Sequence, residues 1–444
     1  MFTLLYALFY NILAVPVLFL IYHLGALVNR KYRRGVLGRY QIFSHVREFL
    51  AREGSERDVF LVHCSSMGEF EHIKPFVRIL RQRLPESRTV VMFFSPSGYE
   101  NVKSAPGVDL FIYAPFEWWF VVRRLFRALN PRALIIAKYD VWPNQVWAAK
   151  SSNIPRFLIN ATLYSASGRL QPGIRRFQRA VYRSIDRILA ISPEDKTHYL
   201  KLSSPEKIVV VGDTKYDQVV FRSEESRKKT VLPEVIRAGK SIFVAGSTWP
   251  EDEEHLIPAI KDTVASGGNG FLTIICPHEP TAEHLERLTE AWAPLQTCLY
   301  SRLDGYKGEP VIIIDRVGLL ANLYSVAQVA YVGGGFKQNV HNVLEPAVYG
   351  IPVLFGPVNQ NSHEAQLLKQ ARGAIEVHSR EEIREQLKRI FRDENYRAEI
   401  SQAARRLVEQ RRGATERTVD EILNYLPKIS TEAVPPAPGR PPRL

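Results

Sequence analysis

Residues 58–84 read DVFLVHCSSMGEFEHIKPFVRILRQRL, and this stretch decides the fold. Asp58–Cys64 is a short run of β-formers without polar alternation, the pattern of a strand buried on both faces. Phe70, Ile73, Phe76, Val77 and Leu80 then recur at helical spacing, so a helix follows at once. The turn between them holds Ser65 and Ser66, either of which can cap the helix, and Gly68, where backbone can approach a ligand. Glu69 falls in the first helical turn, where the helix dipole favours a carboxylate. An ordinary capped turn accounts for these residues equally well. Glu71 is expected to be a bystander on the solvated face.

The strand-to-helix step repeats on both sides of this stretch. Runs at 89–95, 109–113, 132–138, 154–160, 187–192 and 207–213 read as strands, with helical patterns at 70–84, 117–129 and 172–184 between them. Residues 221–240 break the rhythm with charge and no strand. The alternation then resumes with strands at 241–247, 270–277, 310–315, 328–335, 351–357 and 373–377. Alternation of this kind predicts α/β architecture with two parallel, doubly wound sheets. The expected organisation is therefore an N-terminal segment over 1–28, a Rossmann-like domain over 29–220 and a linker over 221–240. A second Rossmann-like domain over 241–425 faces the first across a cleft, and a proline-rich disordered tail occupies 426–444.

The chain has 444 residues and a formal net charge of +13. That excess points to a polyanionic partner: nucleic acid, an anionic membrane or a phosphorylated substrate. No RNA-binding aromatic motif, zinc spacing or basic low-complexity arm supports nucleic acid. The three cysteines are widely separated and give neither a disulfide framework nor a metal spacing. Met1–Val28 is nearly all apolar, and Arg30, Lys31, Arg33, Arg34 and Arg39 follow it. A cleaved signal peptide carries its charges before the apolar run. This order predicts an uncleaved anchor with the downstream domains on the cytoplasmic side and the basic cluster against an anionic inner-membrane surface.

In open α/β sheets ligands bind beyond the carboxyl ends of strands. One such loop is GGGFKQNVHNVLEPAVYGIPVLFGP, residues 333–357. Its glycines are expected to offer backbone N–H groups to a phosphate, with a helix opening near Val340. Glu345 would share a helix face with His341 and Asn342 and accept ribose hydroxyls. No carboxylate–histidine metal spacing accompanies them, so no metal is expected and His341 reads as a hydrogen-bond donor. Other strand-end candidates are Lys138, Asp140 and Asn144 in AKYDVWPNQ, Ser247 and Thr248 in AGSTWPEDEEHL, and His278 in CPHEP.

The stretches SMGE, WPN, GST and above all GGGF…HNVLEPAVYGIPVLFGP resemble the 3-deoxy-D-manno-octulosonic acid (Kdo) transferases of lipopolysaccharide synthesis. The resemblance runs from about residue 1 to 425. It implies a GT-B fold, the donor CMP-Kdo as substrate and no cofactor. The implied reaction is inverting transfer, without metal, to the lipid A precursor at the cytoplasmic face of the inner membrane. The family's catalytic base falls at Glu69. Its nucleotide-binding motif falls at Gly334, Gly335, Asn342 and Glu345, with Ser247, Thr248, His278 and His341 as donor-side candidates. Ser66, Gly68, Lys138, Asp140 and Asn144 are candidates for the acceptor or for the donor carboxylate. The chain departs from the pattern at Lys138 and Asp140, where many members carry glutamates, and at Pro277-His278-Glu279, where an arginine is usual. Competing readings are another GT-B enzyme using a UDP-sugar, whether transferase or 2-epimerase, and a non-catalytic, membrane-tethered anion-binding protein.

Overall fold

The structure, a computed structural model, describes residues 2–54, 57–102, 104–267 and 270–427. The chain divides into two compact units, residues 1–214 with 413–444, and residues 215–412.

Among the described residues of the first unit, seven strands form one parallel sheet: β1 (Val59–Cys64), β2 (Arg88–Phe93), β3 (Leu110–Tyr113), β4 (Pro131–Ala137), β5 (Arg156–Ala161), β6 (Arg187–Ala190) and β7 (Ile208–Val210). Their spatial order is β3-β2-β1-β4-β5-β6-β7, and Val62 lies between Val91 and Ile135. Every residue of β1 is buried, because helices cover both faces of a parallel sheet. Side chains alternate accordingly. Leu61, Met92, Leu134 and Ile136 enter one core, whereas Phe60, Val62, Phe70, Phe76 and Ile135 enter the other. The order reverses between β1 and β4, which makes their carboxyl ends the switch point where such sheets take ligands.

The second unit repeats the plan with β8 (Ser241–Thr248), β9 (Phe271–Pro277), β10 (Thr297–Leu299), β11 (Val311–Ile313), β12 (Val329–Val332), β13 (Val353–Phe355) and β14 (Ala374–Glu376). The order β10-β11-β9-β8-β12-β13-β14 puts its switch point between β8 and β12. Strand β10 is one that hydropathy missed, since only three residues pair, with Cys298 alone buried among them.

The division differs from the expected boundaries at two places. Residues 221–240 are no linker: a helix over Lys215–Arg227 and a short one over Glu234–Arg237 belong to the second unit, and Tyr216 and Val219 join its core. The final helix, Ala414–Tyr425, returns to the first unit, where Val419 and Ile422 pack among Phe60, Phe70 and Phe76. Of the expected tail, residues 428–444 lie outside the described residues.

The N-terminal apolar run is helical, and Leu4–Val28 is long and apolar enough to cross a membrane. It is not free-standing. Tyr10, Val15 and Ala26 are buried, while Leu4, Leu8, Ile12, Leu20, Ile21 and Leu24 stay largely exposed. A π-helical turn over Tyr10–Ala14 interrupts the α-helix. Asn29 then caps the basic helix Arg30–Tyr40, its side-chain oxygen accepting from the Lys31 amide at 2.8 Å.

Candidate active site

In the first unit the switch point is built on β1 and β4. Ser66 is extended and caps the helix Met67–Arg83, its hydroxyl accepting from the Glu69 amide at 3.4 Å. The Glu69 carboxylate in turn accepts from the Ser65 amide at 2.6 Å. This is a near relative of the capping box, displaced by one residue, so part of what holds Glu69 is ordinary helix chemistry. Glu69 is only 4% exposed. Burial raises its pKa from the ordinary glutamate value, against the Ser65 hydrogen bond, and the nearby Asp140 charge raises it further. Gly68 has room around it. A Cβ placed there meets no protein atom closer than the Ser66 hydroxyl, 3.9 Å away, so no packing within the chain demands glycine.

Beyond β4, Lys138 takes a left-handed conformation (φ 57°) that turns the chain sharply out of the sheet. Asp140 follows it. Burial works to raise the Asp140 pKa, but the donors and charges around it prevail and lower it. The His63 imidazole nitrogen Nε2 lies 3.0 Å from its carboxylate, and the Trp142 indole N–H donates at 3.1 Å. His63 is completely buried within β1. The switch point therefore holds a carboxylate with raised proton affinity, Glu69, beside an ionised one, Asp140, that is fixed by histidine and tryptophan. Two carboxylates pushed in opposite directions are a recognised mark of acid–base function.

Asn144 does not join this group. It is fully buried, its side-chain N–H groups donating to Asn11 at 2.8 Å and to the Glu117 carbonyl. Its amide oxygen accepts from Asn11 at 3.0 Å. The expectation that Asn144 contacts a ligand gives way to a supporting role.

In the second unit the loops after β8, β9 and β12 come together. His278 stacks across both Trp249 and His341, with ring centroids 4.7 and 4.5 Å away, and those two rings lie nearly parallel with centroids 6.4 Å apart. The Trp249 indole N–H donates to His341 Nε2 at 2.9 Å. Since indole only donates, Nε2 is unprotonated and the His341 proton sits on Nδ1. Burial and the neighbouring His278 lower the His341 pKa, which favours that neutral form. Thr248, Trp249, His278 and Arg287 line a cavity of about 230 Å³. The Thr248 hydroxyl donates to Glu253 at 2.9 Å, so its proton is used inside the fold. Ser247 stands in a left-handed conformation (φ 54°) at the end of β8.

The glycine loop departs from expectation. The Gly333 amide donates to the Gly246 carbonyl at 2.8 Å, and the Gly334 amide donates to Asp252 at 2.7 Å. These donors are used inside the fold. What demands glycine is close packing, for a Cβ at Gly333 would lie 2.1 Å from the Ser247 carbonyl oxygen and one at Gly335 would lie 2.5 Å from the Gly356 nitrogen. Nor does a helix open near Val340. His341 and Asn342 lie in loop, and one helical turn covers Leu344–Ala347. The Asn342 side-chain oxygen accepts from the Leu344 amide at 3.1 Å, two residues on, just ahead of that turn. Glu345 still meets Asn342 at 3.4 Å, and Arg222 holds its carboxylate at 3.1 Å. Burial raises the Glu345 pKa against the Arg222 charge.

Sequence reading missed His63, Trp249, Asp252 and Arg222 as site residues. Trp249 lay in view within the GSTWP stretch. His63 carried no local signal because a histidine in mid-strand reads as core. Among the described residues, no group of three or more His, Cys, Asp or Glu side chains is placed to hold a metal ion.

Comparison with known proteins agrees with this layout. Residues 38–218 match the family described as 3-deoxy-D-manno-octulosonic-acid transferase (kdotransferase). The chain is 27% identical over 376 residues to the 3-deoxy-D-manno-octulosonic acid transferase of Haemophilus influenzae, covering 82% of this chain and 86% of that one. It is 24% identical over 438 residues to the enzyme of the same name from Rickettsia bellii, covering 95% and 98%. Among solved structures, UDP-GlcNAc 2-epimerase from Neisseria meningitidis superposes with a TM-score of 0.56 at 15% identity over 83% of this chain and all of that one. That likeness concerns the fold alone, two parallel sheets on the GT-B plan. Over residues 38–218 by family and over most of its length by relatives of that name, the chain is similar to the 3-deoxy-D-manno-octulosonic-acid transferases, and this likeness makes it a glycosyltransferase.

Proposed function

We propose that the protein transfers Kdo from CMP-Kdo to the lipid A precursor, with Glu69 as general base and without a resident metal. The observation that carries this reading is the state of Glu69: a buried carboxylate at a switch point, with proton affinity raised toward that of an effective base. Glycosyl transfer from a nucleotide donor needs one base to take the acceptor hydroxyl proton. The leaving CMP already carries a phosphate and needs charge stabilisation more than protonation. Asp140 stays ionised and disfavours a second negative charge nearby, so it helps Glu69 hold the proton it takes. The proton moves from the acceptor hydroxyl to Glu69 as the new C–O bond forms and the bond to the CMP phosphate oxygen breaks.

On the donor side, the Trp249–His278–His341 stack offers flat faces for a base, and Glu345 and Asn342 offer partners to a ribose. Lys138 reverses the charge usual at its place in the family and is a candidate partner for the sugar carboxylate or a phosphate. The apolar N-terminal helix and the basic helix after it fit an enzyme working at the anionic inner-membrane surface, with both units on the cytoplasmic side.

Donor choice tests this directly. Detergent-solubilised full-length protein is offered CMP-Kdo, UDP-GlcNAc or UDP-glucose with a tetraacylated lipid A precursor, in buffer containing EDTA. Mass spectrometry should show Kdo increments from CMP-Kdo alone. Product only from a UDP-sugar overturns the donor, and product abolished by EDTA overturns the metal-free route.

A further inference from the structure

The apolar N-terminal helix carries three features that a simple tether does not need. Asn11 lies within it, an expensive residue for a lipid-facing position. The π-helical turn over Tyr10–Ala14 starts beside it, and such turns are kept mostly where they re-aim side chains for a purpose. Tyr10, next to it, is buried in an otherwise exposed stretch of helix.

All three serve one contact. Asn11 and Asn144 form a reciprocal amide pair, at 3.0 and 2.8 Å. The Tyr10 hydroxyl donates to Glu117 at 3.2 Å, and the same Glu117 oxygen accepts from the Asn144 backbone amide at 2.9 Å. Asn144 is the second residue of the helix Pro143–Ser151, directly after Trp142. A second connection runs by a different route. Tyr22, further along the N-terminal helix, lies 5.5 Å from the Arg39 guanidinium, which donates to the Phe94 carbonyl at 2.6 Å. The Phe94 ring stacks on Trp142, with centroids 4.6 Å apart. Both routes thus end on residues 142–144, and the Trp142 indole holds Asp140.

We infer that the N-terminal helix is a structural member of the first unit's site: Asn11 and Tyr22 are positioning residues that hold the Asp140–Asn144 loop in register with Glu69. Membrane attachment and site geometry then share one element, and the helix cannot be exchanged for another anchor of equal hydrophobicity. The importance of that loop for turnover rests on the proposed reaction; the positioning itself does not.

Asn11→Leu makes the helix more apolar, so any defect it causes is not lost attachment. Phe94→Leu breaks the second route without changing any residue of the helix, removing the ring that packs on both Tyr22 and Trp142. Leu20→Ala, on the exposed face, is the comparison. Each full-length protein in detergent is followed by hydrogen exchange and by Kdo transfer. Removing one partner of a buried polar pair should speed exchange of the amides of residues 139–147 by about tenfold or more. Amides of β1 and β2 should keep their protection, which reports that the fold is intact. Transfer should slow in kcat by about the same factor, with the KM for CMP-Kdo within about twofold of the parent. Leu20→Ala should change neither reading. Unchanged exchange at 139–147 in both Asn11→Leu and Phe94→Leu overturns the inference, as does unchanged kcat with loosened amides. If the parent transfers no Kdo, the reaction proposed above fails instead, and the exchange pattern alone still decides the positioning.

Discussion

At the scale of single residues, the account turns on how two carboxylates at one switch point are driven apart. As the proposed base, Glu69 would act only when ionised, and burial and Asp140 raise its pKa. The acid limb of the kcat profile should therefore lie above the ordinary glutamate value of about 4.3, with rate rising as pH rises through it. Asp140→Asn removes a charge that disfavours ionisation of Glu69, so the limb should move to lower pH. A limb that stays in place in a pH series of both proteins contradicts that coupling. The place of Glu69 in a serine-capped first helical turn was legible in the sequence, because serine, glycine and glutamate stand at fixed offsets there. His63 was not, since its partner Asp140 lies 77 residues away and only the β1–β4 pairing joins them. Asn144 was legible as a strand-end residue but not as a buried one, because its partner Asn11 sits in a segment that hydropathy reads as lipid-facing.

At the scale of elements, the parallel strands announced themselves as unbroken apolar runs, and their parallel direction followed from the chain's alternation with helices; their spatial order did not. Short elements escaped. One helical turn at Leu344–Ala347 and three residues of β10 are too brief for any periodicity to show. The seat of the N-terminal helix makes its own prediction. Burial lifts the Glu117 pKa to about 7, against hydrogen bonds from Asn144 and Tyr10. A carboxyl whose folded pKa lies above its unfolded value contributes stability that is fully present below about pH 4.5 and is lost as pH rises toward 7. The parent should lose on the order of 3 kcal/mol from this group between those limits. Glu117→Gln, which keeps an acceptor for the Asn144 amide, should flatten that part of the stability curve. Parallel curves for the two proteins in urea titrations across pH 5 to 8 contradict it.

At the scale of the whole molecule, the chain makes its first unit from both ends. Its final helix packs Val419 and Ile422 into the core that backs Phe70 and hence the helix carrying Glu69. Ile422 is completely buried. Ile422→Ala should destabilise the first unit by about 2–5 kcal/mol and leave the second unit's unfolding unchanged, read from hydrogen exchange of β1 and β8 amides. Equal loosening of both units contradicts the assignment of that helix. No sequence signal marked the return, because the helix Ala414–Tyr425 has an ordinary amphipathic pattern and its partner surface lies over 300 residues earlier. The two Rossmann-like halves were legible; the final helix's membership was not.

The most direct measurement is Kdo transfer by the parent and by Glu69→Gln, side by side, with CMP-Kdo binding measured on both. The variant keeps the shape and an acceptor for the Ser65 amide but cannot take a proton. The account predicts product from the parent, at least a ~10²-fold loss of kcat in the variant and unchanged donor affinity. Equal rates in the two proteins would remove Glu69 from the reaction and contradict the central claim.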